Sequence, residues 1–225
     1  MMLRRIFLVW VGLLLSQTAA AKAERLQFRV LSSSGEPVHS AVISAGEALP
    51  GTSGAEAEMD QIDKEFAPYV LPIQQGQSVA FPNKDNVRHH VYSFSPAKPF
   101  EIRLYSGRPG EPVEFENSGV VVLGCNIHDN MVGYIYVTPR PYRASSDYGG
   151  DVVLEVASEV SEVVVWHPNL SLDSQRELRL ALADLKQVEE ASKTVYLVEL
   201  DIPTPERNPQ AIRAPGNRFD RFKID

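Results

Sequence analysis

The sequence predicts an all-β protein with a Greek-key sandwich in its middle and a second, sandwich-like β region. Short runs of β-branched and aromatic residues recur along the chain, with Gly, Pro and Asn between them. Helical periodicity is absent from the middle region. The second region is built from the C-terminal half and, by our interpretation, from the N-terminal strands, because neither piece alone has enough strands to bury two faces.

The first 23 residues have the pattern of a secretory signal peptide. Arg4 and Arg5 precede an apolar run from Ile6 to Leu15, and small residues follow it. The run is too short to cross a membrane, which takes about 20 apolar residues. We therefore expect residues 1–23 to be removed and the mature protein to be periplasmic, without a membrane span.

The charge balance excludes some partners. The chain has 22 basic and 29 acidic residues and a net charge of −7, and removal of residues 1–23 takes away three basic residues and no acidic one. Nucleic acid is excluded as a partner because its binding depends on Lys and Arg that neutralise phosphates. A protein with a basic patch fits better.

The mature chain divides into four parts. Leu26, Phe28 and Val30 alternate with polar residues and precede a turn, which predicts an opening hairpin. Pro139 and Pro141 indicate a boundary, since neither can continue a central strand. The predicted parts are a hairpin and loop (24–57), a central β domain (58–139), a C-terminal β-rich domain (140–204) and a tail that is poor in apolar residues (205–225).

Two places in the C-terminal half admit alternatives. The apolar spacing between Leu178 and Val188 fits a strand or a helix, and we favour the strand. His167 lies between Trp166 and Pro168. We interpret this cluster as a packed tryptophan beside a turn rather than as a second metal site.

One short loop in the central domain carries three metal-binding side chains. Cys125, His128 and Met131 follow one β-branched run and precede another. A thiolate, two imidazoles and a weakly bound thioether are the donors of a mononuclear copper electron-transfer site, whereas structural zinc takes more Cys or His and no Met. A single Cys in an oxidising compartment also calls for burial or a metal.

The second imidazole must come from elsewhere in the chain. His89 and His90 both offer one. Neighbouring side chains of a strand point to opposite faces, so only one of the two can face the metal. Alternation alone does not say which.

The stretch from Met59 to Val137 resembles the cupredoxins, the blue-copper fold of plastocyanin and amicyanin. The resemblance is carried by the motifs Phe66-Ala67-Pro68, Ile73 to Asp85, His89-His90-Val91 and Met131 to Val137, and by a loop of the short amicyanin length. The whole chain most resembles the plastocyanin-like proteins often labelled methylamine utilisation proteins. The family alignment implies the ligands His89, Cys125, His128 and Met131, with one type 1 copper ion.

The chain departs from the family at two positions. Gly124 stands where plastocyanin has a Tyr near a second electron port, and His90 stands where the family has Asn. The first departure argues against that route. In the family the loop His is the electron port, which implies this role for His128.

These observations predict an exported copper protein that carries single electrons to an unidentified redox partner and is not an enzyme. The main alternative is a protein that stores or delivers copper with the same residues. A hydrolase with Cys125 as nucleophile and His128 as base lacks a third residue to orient the base. A binding module would have no reason to retain four ligands.

Overall fold

The computed structural model describes residues 23–51, 54–157, 159–171 and 175–202. Within these ranges the chain forms eighteen β-strands and two single-turn 3-10 helices. The predicted all-β class is therefore confirmed. Residues 1–22 of the expected signal peptide and the tail from residue 203 lie outside the described residues. No helix in the described ranges has the length and apolar character needed to cross a membrane.

The strands are β1 (Glu24–Ser32), β2 (Val42–Ala45), β3 (Ala57–Glu58), β4 (Asp60–Ile62), β5 (Glu65–Ala67), β6 (Val70–Gln74), β7 (Ser78–Ala80), β8 (His89–Ser93), β9 (Phe100–Tyr105), β10 (Val113–Glu114), β11 (Gly119–Gly124), β12 (Val132–Thr138), β13 (Tyr142–Ser145), β14 (Asp151–Val156), β15 (Glu162–Trp166), β16 (Glu177–Ala181), β17 (Lys186–Glu190) and β18 (Lys193–Leu200). The two 3-10 turns are Pro168–Leu170 and Leu182–Asp184.

The central part of the chain forms one sandwich. A five-stranded sheet in the order β6-β12-β11-β8-β9 packs against a three-stranded sheet in the order β10-β7-β3. The chain crosses between the sheets after β6, β7, β9 and β10, as in Greek-key sandwiches. Alternate residues of β11, such as Val121 and Leu123, fill the core between the sheets, while Val120 and Val122 face outward.

Strands from both ends of the chain form the second sandwich. One sheet has the order β14-β1-β18-β17 and the other β13-β2-β15-β16. Phe28, Val30, Leu154 and Val198 are among the buried residues of its apolar core. The central sandwich is inserted between β2 and β13. The predicted second β-sandwich, with the N-terminal strands included, is confirmed.

The predicted N-terminal hairpin is wrong. Strands β1 and β2 lie in different sheets, and the turn between them keeps only a single bridge between Leu31 and Pro37. All four residues of β2 are buried, with Val42 facing the central sandwich and Ile43 facing the core of the second sandwich. Strand β2 pairs with β13 on one edge and with β15 on the other. From Leu178 to Val188 the chain runs as strand, 3-10 turn and strand.

Aromatic residues join the two sandwiches. Trp166 is fully buried, stacks on Tyr136 with ring centroids 5.3 Å apart, and lies 5.8 Å from the ring of Tyr134. The hydroxyl of Tyr136 donates to the carboxylate of Glu177 at 2.5 Å. Trp166 thus packs against the outer face of β12, as the interpretation of a packed tryptophan predicts.

Candidate metal centre

The alternation of side chains along β11 places the thiol of Cys125 on the core side of the sheet. Val121 and Leu123 face the core, and Cys125 continues this side just beyond the end of the strand. The chain then turns, with the amide of Met131 donating to the carbonyl of His128 at 2.9 Å. Because β11 and β12 pair directly on either side, the loop is short and its ends are held in register.

The structure brings Cys125, His89 and His128 together. The Sγ atom of Cys125 lies 3.8 Å from Nδ1 of His89 and 3.8 Å from Nδ1 of His128. The three donor atoms all lie within 4.8 Å of one another. His89 and Cys125 are buried, and His128 is half-buried at the edge of the site.

These distances suit a metal ion. Bonds of about 2.0 Å to nitrogen and about 2.3 Å to sulfur, arranged at ~120° around an ion, place the sulfur atom about 3.7 Å from a nitrogen atom. The observed separations of the Cys125 Sγ atom from the two Nδ1 atoms, 3.8 Å each, agree with that value, so the sulfur is correctly spaced from each nitrogen to share an ion with it. The mixture of thiolate and imidazole donors fits copper.

Met131 lies beside this group in the fold. Its side chain is buried and belongs to the same apolar cluster as Cys125, Phe81 and Val91. A thioether is a weak ligand and needs a position protected from water to compete. The burial of Met131 next to the turn that carries His128 meets this requirement.

A carboxylate orients the first imidazole. Nε2 of His89 lies 2.6 Å from Oδ2 of Asp85, so His89 donates to the carboxylate and its Nδ1 faces Cys125 as an acceptor. The carboxylate of Asp85 also accepts from the turn between β4 and β5, where the amides of Asp63 and Lys64 donate to it at 2.6 and 2.9 Å. Ligating histidines commonly donate their second nitrogen to a carboxylate in this way.

Burial, hydrogen bonds and nearby charges shift the pKa values of two side chains at the site. Burial alone would raise the pKa of Asp85, but hydrogen bonds from Lys64, His89 and Asp63 outweigh it, and the pKa lies below its ordinary value. Burial, followed by the nearby His89 and Lys64, lowers the pKa of His128. A neutral His128 is the form that can bind a metal, and an ionised Asp85 is the form that accepts most strongly from His89.

His90 faces the opposite side of β8. Its Nε2 donates to a carboxylate oxygen of Glu101 at 2.9 Å. Its Nδ1 is buried and has no hydrogen-bond partner among the described residues. The geometry therefore separates two neighbouring imidazoles that the sequence left equivalent, with His89 inside and His90 outside.

Asp85 was not predicted as a site residue. It stands four residues before His89, and no helix makes this spacing meaningful, since Lys84 to Arg88 form a loop. The contact arises only because the turn of the β4–β5 hairpin holds the carboxylate in place. The only signal in the sequence was its position in a polar turn before the histidines.

Comparisons with known proteins find copper proteins among the similar folds. No protein-family model and no curated protein matches the chain by sequence. Solved structures that it resembles include the reduced Cu(I) form, at pH 4, of an amicyanin mutant, with 15% identity over 42% of this chain and 97% of amicyanin and a TM-score of 0.34. A purple cupredoxin from Nitrosopumilus maritimus has 23% identity over 38% of this chain and 100% of its own, with a TM-score of 0.33.

An enzyme is among the similar structures as well. The Cu-containing nitrite reductase from Thermus scotoductus SA-01 has 23% identity over 48% of this chain and 28% of its own, with a TM-score of 0.34. The central region of this chain has two facing sheets and a His-Cys-His cluster that could hold a metal ion.

Proposed function

We propose that this chain is an exported type 1 copper protein that carries single electrons, with His89, Cys125, His128 and Met131 as the copper ligands. Copper bound there would supply a one-electron couple between Cu(II) and Cu(I). The observation that carries the proposal is the convergence of the Cys125 thiol with two imidazole nitrogens at 3.8 Å each. The periplasm is the proposed compartment, on the pattern of residues 1–23.

The scaffold supports rapid electron exchange. His89 is held by Asp85 from behind, and the loop from Cys125 to Met131 is tied to paired strands at both ends. Side chains fixed in this way keep nearly one arrangement in both oxidation states. A small rearrangement on electron transfer favours a carrier.

His128 is the proposed point of electron exchange. It is the most exposed of the four proposed ligands, and its neighbours Ile127 and Val132 have 47% and 37% of their surface exposed. An apolar patch around a ligand allows a partner to approach closely without displacing charged groups. No acid–base or nucleophilic role is needed for Cys125 in this scheme.

The burial of the other ligands favours a carrier over a protein that delivers copper. His89 is fully buried, and Cys125 and Met131 are almost so. Release of copper to a chaperone would require a path to at least two of these donors. Electron transfer requires none.

The test is a copper titration of the mature protein, followed by visible absorption and by cyclic reduction and oxidation. We expect an intense blue or green colour at one copper per chain and full recovery of the colour over several cycles. His89→Ala should abolish the colour, whereas His90→Ala, its matched control on the other face of β8, should leave it. Met131→Leu should keep the colour and raise the reduction potential.

If His90→Ala lost the copper colour and His89→Ala kept it, the proposed ligand set would be overturned. Loss of copper to a chelator on reduction would favour storage or delivery over electron transfer. If the mature protein binds no copper in the titration, the whole proposal is refuted.

A further inference from the structure

The turn between β4 and β5 has an unusual backbone for its sequence. Ile62 and Glu65 form the last pair of the hairpin, so the turn consists of Asp63 and Lys64 alone. Both have positive φ angles, 56° and 63°, whereas two-residue turns of this kind are usually built with a glycine. Left-handed backbone is costly for a residue with a long side chain, and it persists where the surrounding contacts fix it.

The two amides of this turn bind the carboxylate of Asp85. The amide of Asp63 donates to Oδ1 at 2.6 Å, and the amide of Lys64 donates to Oδ2 at 2.9 Å. The ladder of the hairpin does not need these amides, because its closing pair is formed by the residues on either side of the turn. Successive amides in a turn form a concavity that binds anions. The turn is therefore shaped to hold a carboxylate.

Backbone contacts fix the hairpin against the segment that carries Asp85. The amide of Gln61 donates to the carbonyl of Pro82 at 3.1 Å, and the amide of Lys84 donates to the carbonyl of Gln61 at 3.0 Å. The amide of Asp85 donates to Oδ1 of Asn83 at 2.9 Å. The hairpin and the carboxylate are thus held together, and only 11% of the Asp85 side chain is exposed.

The carboxylate in turn fixes His89. Oδ2 of Asp85 accepts from Nε2 of His89 at 2.6 Å and from the amide of Lys64. A proton held on Nε2 leaves Nδ1 unprotonated toward Cys125, 3.8 Å away. Because the ring and the amide share one oxygen, the amide also draws charge from the carboxylate and weakens its pull on the imidazole proton.

We propose that the Asp63-Lys64 turn is a positioning element of the metal centre, which fixes the tautomer of His89 and raises the reduction potential of copper bound there. The inference rests on the proposed function and deepens it. A carboxylate that pulls harder on the Nε2 proton makes the imidazole a stronger donor, and a stronger donor favours Cu(II). The turn amides oppose this effect, so removal of one amide should lower the potential.

The side chain of Lys64 adds a second contribution in the same direction. Its ammonium is close enough to His128 to contribute to the lowered pKa of that imidazole, after burial and His89. A positive charge beside a ligand disfavours the more highly charged Cu(II) ion, which raises the potential. Salt screens the charge of the exposed Lys64 side chain far more than it weakens the partly buried hydrogen bonds of Asp85, so the two contributions can be separated.

The first experiment uses the metal-free mature protein and follows the ring proton and nitrogen signals of His89 by NMR. The α-hydroxy analogue of lysine at position 64 replaces the amide N–H by an ester oxygen and keeps the side chain. We expect the proton to stay on Nε2 and its signal to move downfield, because a carboxylate with one donor fewer binds it more tightly. Lys64→Gln keeps the amide and should leave this signal in place. An unchanged signal in the ester variant would refute the sharing of charge.

Lys64→Pro tests the positioning role, since proline cannot adopt the left-handed backbone and has no amide N–H. We expect a mixture of both His89 tautomers and a loss of about tenfold in copper affinity. The matched control is Ser192→Pro, because Ala191 and Ser192 form the same two-residue, left-handed turn between β17 and β18 of the second sandwich. It should lower Tm in the same way and change neither readout. A folded Lys64→Pro variant with the wild-type tautomer and affinity would refute the positioning role, as would equal changes in both variants.

The second experiment measures the reduction potential of the copper-loaded protein at low and at high salt. The ester variant should have a lower potential than the wild type under both conditions. Lys64→Gln should have a lower potential at low salt and approach the wild type at high salt. A potential that rises or stays the same in the ester variant would overturn the proposed effect of the turn on the potential.

The two proposals fail separately. A chain that takes up no copper would refute the electron carrier, while the NMR signals of the metal-free protein would still report whether the turn positions His89. A blue copper site whose His89 signals and potential do not respond to the ester would refute the role of the turn and leave the electron carrier standing.

Discussion

The two sandwiches of this protein use the same strand alternation for different interiors. The core of the second sandwich consists of apolar side chains such as Phe28, Val30 and Leu154. The core of the central sandwich is equally apolar over most of its length but ends in the buried donors His89 and Cys125. Buried polar side chains therefore lie at one end of its apolar core.

This difference shows where each sandwich places its polar groups. Buried polar groups need partners, and His89 has one in Asp85 on one side and faces Cys125 on the other. In the second sandwich the buried His167 accepts from the amide of Asn169 and sits at a 3-10 turn. His89 thus belongs to a cluster that could hold a metal ion, whereas His167 accepts from the backbone of a turn.

The largest expected effect concerns the contact between the two sandwiches. Trp166→Ala removes a fully buried ring that stacks on Tyr136, so we expect a loss of about 3–5 kcal/mol in the free energy of unfolding. Urea denaturation measures it. The copper colour of the folded variant should remain, because Trp166 lies on the outer side of the sheet. Trp166→Phe, which keeps a ring, should lose less. Loss of the colour at full folding would show that the two regions are coupled.

The second prediction concerns the pH dependence of the metal-free protein. Burial, followed by the nearby His39, lowers the pKa of His167 to about 4. The unfolded chain takes up the proton near its ordinary pKa of about 6.5, before the folded chain does, so stability is full above that pH and falls as the pH drops toward 4. The expected loss is about 3 kcal/mol. His167→Asn should flatten the curve in this window while keeping a side-chain acceptor for the Asn169 amide. Parallel curves for the two proteins would contradict the assignment.

Metal binding should stabilise only a chain with its thiol. For the wild type, copper at 100 times its Kd should add about 2.7 kcal/mol to the free energy of unfolding, seen as a rise in Tm. Cys125→Ser should lose this gain and the colour. Its metal-free Tm should stay close to that of the wild type, because the two side chains are similar in size. A variant that kept the full copper-dependent rise would remove Cys125 from the site.

The smallest of these effects concerns the carboxylate behind His89. Asp85→Asn removes the charge that accepts from His89 Nε2, and we expect copper affinity to fall about tenfold to a hundredfold. Competition with a chelator of known affinity measures the change. The matched control is Glu101→Gln, which alters the partner of His90 on the other face of β8 and should leave the affinity unchanged. Equal losses in both variants would point to a general effect of charge.

Much of the site followed from local sequence. Cys125, His128 and Met131 are close in any tight loop between paired strands, because covalent connection limits their separation. Alternation along β11 then puts Cys125 on the core side. The strand between Leu178 and Ala181 was also predictable, since a period of two runs through it.

Long-range pairing escaped local reasoning. Strands β1 and β2 looked like a hairpin because a turn separates them, yet β1 pairs with β14 and β18, far along the chain. Likewise, alternation said that His89 and His90 face opposite sides but left open which of them is inside. Tyr92 and Gly124 seemed unrelated until the register of β8 and β11 put them side by side.

The sequence by itself determined the chemistry: the β-rich architecture, the sulfur and nitrogen donors and their spacing on one loop. Only the tertiary structure decided which distant groups meet them, since His89 is 36 positions from Cys125 and Asp85 reaches it through a loop. Donor type and loop spacing are covalent properties of neighbouring residues. Convergence across sheets depends on strand register and on the packing of two faces, which no local pattern encodes.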